Sequence, residues 1–274
     1  MKFEGRLITD DEKKELLAQI LEKLTVFFAE NNITYYLAFG TLLGAVRHQG
    51  FIPWDDDVDL LVPRDSFIHL IHLCEDKKEE LKTLNLEIVE YGQNKKDYYK
   101  RFKIADTRTV MEEFGEERSA VFVDIFPLDY FTDMPMKKLR KLRKKILWID
   151  NLASLCNAGF AQGSGVKKSI YSLLLCIYKI IGVERMKKKF ENKLLELTKF
   201  DINGIACGSE SGEGDSDYSK AADWVESVDL SFEGRICKAP IGWHNILTIT
   251  YGNYMELPPE DERHSHEFYE MYWR

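Results

Sequence analysis

A run of acids set against an apolar segment is the strongest constraint in this sequence. Asp55, Asp56, Asp57 and Asp59 directly precede Leu60, Leu61 and Val62, and Val58 separates the last two acids. Residues two apart on a strand share a face, so a strand over about 57–62 places Asp57 and Asp59 on the same side. Two carboxylates on one face of an apolar strand carry a desolvation cost unless a cation meets them. A hard divalent ion such as Mg²⁺, which takes oxygen ligands, is the natural partner. Upstream, Ile33 to Phe39 reads as a first core strand. Gly40-Thr41 then turns the chain into a short helix, roughly 41–48. Gln49-Gly50 and Pro53-Trp54 make the turn that leads to the acids.

The bulk properties are those of a folded protein. At 274 residues, with 45% hydrophobic and 31% charged residues, the chain is long enough for one large domain or two small ones. A net charge of -8 argues against general nucleic-acid binding. The five cysteines are scattered and include no C-x-x-C pair, so neither a disulfide framework nor a zinc ribbon is indicated. A reducing cytoplasm is the expected location. The first residues lack the apolar core of a signal peptide.

The remaining segments suggest an α+β fold: a mixed sheet with packed helices and a helical insertion. Thr9-Asp10-Asp11-Glu12 has capping-box spacing, and Leu16 to Phe28 repeats at helical spacing, which predicts a helix over 10–30. A second helix is expected over about 64–80, with His69 and His72 as ordinary partly exposed side chains. Residues 86–91, 98–105, 108–112 and 120–126 read as strands. The last is apolar with Asp124 embedded, and Pro127 is expected to close it. Residues 232–256 read as strand, turn and helix. The expected organisation is a catalytic core over 1–134, a basic helical subdomain over 135–202, and a segment completing the core over 203–274.

Two features of the middle stretch bear on partners. Residues 137–145 are nearly all basic, and an apolar run from Ile170 to Val183 precedes another basic cluster. That run is too short to span a bilayer. It is read either as a helical subdomain with a solvated basic face or as a surface resting on anionic lipid, peripherally at the inner face of the membrane. Gly208 to Gly214 superficially has the look of a phosphate loop but lacks the Gly-Lys-Ser/Thr ending, so it is read as a loop.

The chemistry suggested is transfer at phosphorus. One or two Mg²⁺ ions, or Mn²⁺ in their place, neutralise phosphate charge and align the reacting oxygens. Asp57 and Asp59 fit as ligands, and Asp124 as a third carboxylate that bridges a metal and accepts the proton of an attacking hydroxyl. Gly40 and Thr41, at a helix N-terminus, offer backbone N–H groups and a hydroxyl to phosphate. Arg47, Arg101 and Lys103 supply positive charge, with His48 beside them. The bland alternatives are that Asp55 and Asp56 are turn residues and that Asp124 pairs structurally with Arg101 or Lys103.

The run Gly40 to His48, continued by Gly50 to Asp59, closely resembles the signature of the LicD family. Tyr251 to Pro259, with His266 beyond, is similar to that family's closing motif. The resemblance implies a nucleotidyltransferase-like fold. It also implies transfer of a phosphorylated alcohol, typically phosphocholine from a CDP-choline donor, to a sugar hydroxyl of a surface glycan or its lipid-linked oligosaccharide precursor, with release of CMP. Asp57 and Asp59 match the family's metal-binding acids, and Asp124 is placed by pattern. CDP-ribitol and CDP-glycerol-like donors occur among relatives. A choline headgroup calls for an aromatic cage, for which Tyr98, Tyr99, Trp224, Trp243, Tyr251 and Tyr254 are available. The rival readings are nucleotidyl transfer to a small acceptor and a non-catalytic nucleotide- or glycan-binding module.

Overall fold

A computed structural model describes residues 5–89, 102–113, 116–132, 137–146, 148, 165–208, 216, 218–263 and 270–274. Arg101, Tyr98, Tyr99 and His266 lie outside these residues. In chain order the elements are α1 (Asp10–Glu30), β1 (Tyr36–Leu37), α2 (Phe39–His48), β2 (Asp59–Pro63), α3 (Arg64–Asp76), α4 (Lys78–Thr83), β3 (Leu86–Val89), β4 (Phe102–Asp106), β5 (Thr109–Glu113), β6 (Glu116–Arg118) and β7 (Phe122–Phe131). Residues 137–146 form α5. Then come α6 (Gly165–Ile181), α7 (Val183–Leu195), β8 (Ile205–Cys207), β9 (Tyr218–Lys220), β10 (Ser227–Phe232), β11 (Arg235–Pro240), α8 (Trp243–Tyr251) and β12 (Tyr272–Trp273). The α+β expectation holds.

Two compact units result, one of residues 1–128 and 222–274, the other of residues 129–221. The first contains a sheet in the order β1-β2-β7-β4-β3. Its central pair, β2 and β7, is parallel, while β1 on one side and β4 and β3 on the other run antiparallel to their neighbours. Central strands buried on both faces must be apolar along their length, and Leu60, Leu61, Val62, Val123 and Ile125 are each at most 2% exposed. Helix α1 starts at the capping box, where the Thr9 side chain accepts from Glu12 N–H and Glu12 reciprocates. It buries Leu17, Ile20, Leu21, Leu24, Phe27 and Phe28.

Three expectations need correction. The helix expected over 64–80 breaks at Lys77 into α3 and α4. Pro127 does not close its strand, because β7 continues to Phe131. Asp124 N–H points to Val58 O on the β2 side, so by alternation the missing N–H of Pro127 falls on the β4 side. Among the described residues the β4 ladder runs from the Phe102–Ile125 pair to the Ala105–Phe122 pair, so Pro127 interrupts none of it. Residues 227–240 form a complete hairpin of β10 and β11, where a single strand was read. Its two-residue turn places Glu233 at φ 50° and Gly234 at φ 71°, the left-handed pair such a turn needs.

That turn also reaches back to the loop before the acids. Glu233 N–H donates to Gln49 O, and Phe51 N–H donates to Glu233 Oε1, both at 2.9 Å. Phe51 packs edge-on against Phe232.

In the second unit, Asp129–Phe131 at the end of β7 pair antiparallel with β8, and β8 pairs antiparallel with β9. Helices α6 and α7 meet at Gly182, whose φ of 69° makes the corner. Among the described residues, no helix is long and apolar enough to cross a membrane.

Candidate active site

The parallel register of β2 and β7 aligns Asp59 with Asp124. Paired residues on neighbouring strands project to the same face, so strand pairing brings together acids 65 positions apart in sequence. Asp57 lies just before β2, outside the regular strand, yet it still shares the Asp59 environment. The Asp59 carboxyl is pushed well above its ordinary range, first by burial and then by the charges of Asp57, Asp124 and Asp55, with Lys103 acting in the opposite direction.

Lys103 stands opposite Asp124 across the antiparallel β4–β7 pair. Its Nζ lies 3.1 Å from Asp124 Oδ2, and both side chains are nearly inaccessible, at 6% and 11% exposure. The same Nζ sits 3.4 Å from the Phe122 ring centroid. Asp124 Oδ1 is buried and makes no hydrogen bond. A buried carboxylate oxygen with no donor, beside other acids, is where a bound cation would lower the energy most. The acids therefore fit a divalent ion in charge and donor type. Among the described residues no three acidic, imidazole or thiol groups are placed together as a set that could hold a metal ion.

Helix α2 braces this cluster. Ala38 N–H donates to Asp59 O at 3.0 Å, and Asp59 N–H donates to the Thr41 hydroxyl at 2.9 Å. Thr41 is only 2% exposed, so its oxygen holds the acid strand instead of facing the cleft. The helix begins at Phe39, two residues earlier than expected, with Phe39 at φ 44°. A left-handed phenylalanine is strained by about 1–3 kcal/mol. Its ring is seated edge-on against Phe126, which fixes it. A side chain on Gly40 would overlap Asp55 Oδ2, so the glycine admits the Asp55 carboxylate against the start of the helix. Asp56 points elsewhere and pairs with Lys13 of α1 at 3.2 Å, both buried.

A cleft of about 720 Å³ opens over the acids. Asp55, Asp57 and Asp59 line it together with Gly40 and Arg47, and Trp54, Tyr251 and Tyr254 give it aromatic walls. Pro258, Pro259 and Glu262 complete the far side. Arg47 Nη1 donates to Tyr254 O at 2.8 Å and to Glu256 O at 3.2 Å, which ties α2 to that far wall. Burial and the charge of Arg263 lower the Arg47 pKa. His48, at the end of α2, accepts from Arg47 Nε at 3.4 Å, and burial with the Arg47 charge lowers its pKa. The Tyr251 phenol is pushed up by burial and then by Asp55, Asp59 and Asp57, so its hydroxyl is near the acids although 41% of the residue is exposed.

Of the residues read from sequence, Asp57, Asp59, Gly40 and Arg47 line the cleft. Asp124, Lys103 and Thr41 stand behind them, and Arg101 is outside the described residues. Two aromatic candidates are placed elsewhere: Trp224 is buried against Tyr36, and Trp243 packs on His244. Trp54 and Glu262 were not anticipated as lining residues. The one signal for Trp54 was its position directly before the acids. Arg263 stacks over the Trp54 ring at 5.2 Å, so this wall is charged as well as aromatic.

Residues 32–151 match the sequence model described as the LicD/FKTN/FKRP nucleotidyltransferase domain, a span that contains α2, β2, Lys103 and Asp124. The chain thus carries a LicD-family domain at residues 32–151. A LicD-type protein similar to it over nearly its whole length is the lipopolysaccharide cholinephosphotransferase LicD of Haemophilus influenzae, 29% identical over 272 residues, 97% of this chain and 98% of that one. An uncharacterised protein of Rickettsia prowazekii is 49% identical over 59 residues, 21% of this chain and 22% of that one. A counterpart in Rickettsia typhi matches to the same extent of this chain. The LicD domain match ends before the cleft's far wall, whereas the Haemophilus match covers 97% of the chain.

Proposed function

We propose that this chain is a phosphotransferase that moves a phosphorylated alcohol from a CDP-alcohol to a sugar hydroxyl of a surface glycan. The name of the Haemophilus relative favours phosphocholine as the group moved and lipopolysaccharide as the acceptor class, and the resemblance of the Gly40–His48 and Gly50–Asp59 motifs adds CDP-choline as the donor and a lipid-linked precursor as the other acceptor. The observation that carries the reading is the alignment of Asp59 with Asp124 beneath a cleft lined by Asp57. Asp57, Asp59 and Asp124 would hold Mg²⁺, or Mn²⁺ in its place. Such an ion, when bound, neutralises the donor's phosphate oxygens and orients the phosphorus for attack.

The chain's own groups do the rest. Thr41 fixes the Asp59 backbone, and Lys103 fixes Asp124. Asp57 and Asp59 face the cleft, so one of them takes the proton as the acceptor oxygen bonds to phosphorus. The P–O bond to the CMP leaving group breaks in the same displacement. Asp124, set behind them, suits ion holding better than proton transfer. Trp54 and Tyr251 offer aromatic faces, with acids close by, to a cationic headgroup.

A screen of CDP-alcohols with mass detection tests the reading. CMP release from CDP-choline in the presence of a glycan acceptor and Mg²⁺ is the expected result. Pyrophosphate release from a nucleoside triphosphate, with no CMP from any CDP-alcohol, would establish nucleotidyl transfer instead. Arg47→Ala should raise the donor KM about tenfold with a smaller change in kcat, since charge-assisted bonds to two carbonyls of the cleft wall are lost. Steady-state kinetics would show this.

A further inference from the structure

We infer that the second unit carries a docking surface for an anionic lipid bilayer, built from an exposed apolar stripe on α6 and lysine-rich faces on α5 and α7. The stripe consists of Val166, Ile170, Leu173, Leu174 and Ile177, exposed by 77%, 53%, 62%, 42% and 42%. The spacing i, i+4, i+7, i+8, i+11 puts them on one side of the helix. A water-facing row of five large aliphatics is costly for a protein in bulk solution and marks an interaction surface.

Charge identifies the occupant. Every exposed residue of α5 is a lysine: Lys137, Lys138, Lys141, Lys144 and Lys145. On α7, Arg185, Lys188, Lys189 and Lys193 are exposed at helical spacing. Lys145 lies over the Phe190 ring at 5.4 Å, which packs α5 on α7, and α7 follows α6 directly through Gly182. Residues 137–199 hold 16 Lys and Arg against 4 Asp and Glu, in a chain whose net charge is -8. The positive charge is thus concentrated around the apolar stripe, and the remainder of the chain is repelled by the same lipids. Trp148, 65% exposed just beyond α5, adds a side chain suited to the headgroup layer. An apolar stripe flanked by cations is the pattern of a helix lying in the plane of an anionic interface, and α6 is too short to cross it.

Vesicle flotation of the full chain tests this without reading activity, so it stands or falls separately from the proposed reaction. The chain should float with vesicles containing phosphatidylglycerol at low salt, stay behind with pure phosphatidylcholine, and release at 1 M salt, where screening shortens to about 3 Å. Replacing Ile170, Leu173 and Ile177 with serine should reduce partition more than tenfold with every charge retained. Replacing Lys138, Lys141, Lys144, Lys188 and Lys189 with glutamine should do the same with the stripe intact. These positions are exposed, and circular dichroism checks the fold. No flotation at low salt, equal binding to neutral vesicles, or unchanged binding of the serine variant would overturn the inference. So would sedimentation showing a dimer that the serine variant abolishes, since a second copy would then cover the stripe.

Discussion

Asp59→Asn is expected to reduce turnover by more than about 100-fold, because groups that only support a metal ligand already cost 10–100-fold when lost. The metal-free fold should not suffer. Burial and three neighbouring carboxylates raise the Asp59 carboxyl, so its ionised form is strained in the folded protein. The sign follows from linkage: a raised folded-state value contributes stability at low pH and loses it as pH rises through that value. At neutral pH the amide removes this cost while keeping the shape. Melting temperature without metal should therefore stay level or rise, and the increase that Mg²⁺ gives the wild type should shrink or vanish. Asp57→Asn should lose activity similarly, since it lines the same cleft. Full turnover in either variant would refute the assignment of these acids to metal binding.

Lys103→Met is expected to have the largest effect on folding, a loss of about 3–5 kcal/mol. The substitution removes the ammonium beside Asp124 while leaving that carboxylate buried among other acids. For a protein of this size that corresponds to a drop in melting temperature of roughly 6–20 °C. The paired variant Lys103→Met with Asp124→Asn should recover most of the loss, because the stranded charge goes with its partner. Thermal melts of the single and double variants, without metal, separate this from simple loss of packing. A double variant no better than Lys103→Met would mean that Lys103 acts through the Phe122 ring instead.

The sequence made the local features readable because local forces make them. Thr9 and Glu12 mark the start of α1 through a bond between near neighbours, and the helix runs over the residues its periodicity indicated. The acids at 57 and 59 stood out because carboxylates are expensive among aliphatics. Pairing was another matter. Asp59 and Lys103 could be named from sequence as companions of Asp124, but not the register that sets it opposite Asp59 on one side and Lys103 on the other, since register is decided by partners that approach from elsewhere in the chain. Asp55 illustrates the same limit. Its place against Gly40 follows from the path of the intervening loop, which turns, not periodicity, determine. The β10–β11 hairpin was missed because Ser227, Asp229 and Ser231 dilute the first strand, although Glu233-Gly234 before the second strand could have signalled the turn.

The latch between Glu233 and the 49–51 loop has a consequence during synthesis. Phe51 and its hydrogen-bond partner Glu233 are 182 residues apart. At 5–20 residues per second the ribosome takes roughly 10–35 s to cover that distance. Throughout that interval the nascent chain displays its aspartate loop without the clasp that holds it. Anything that captures the loop in that window, whether a chaperone or a stray cation, acts before the cleft exists.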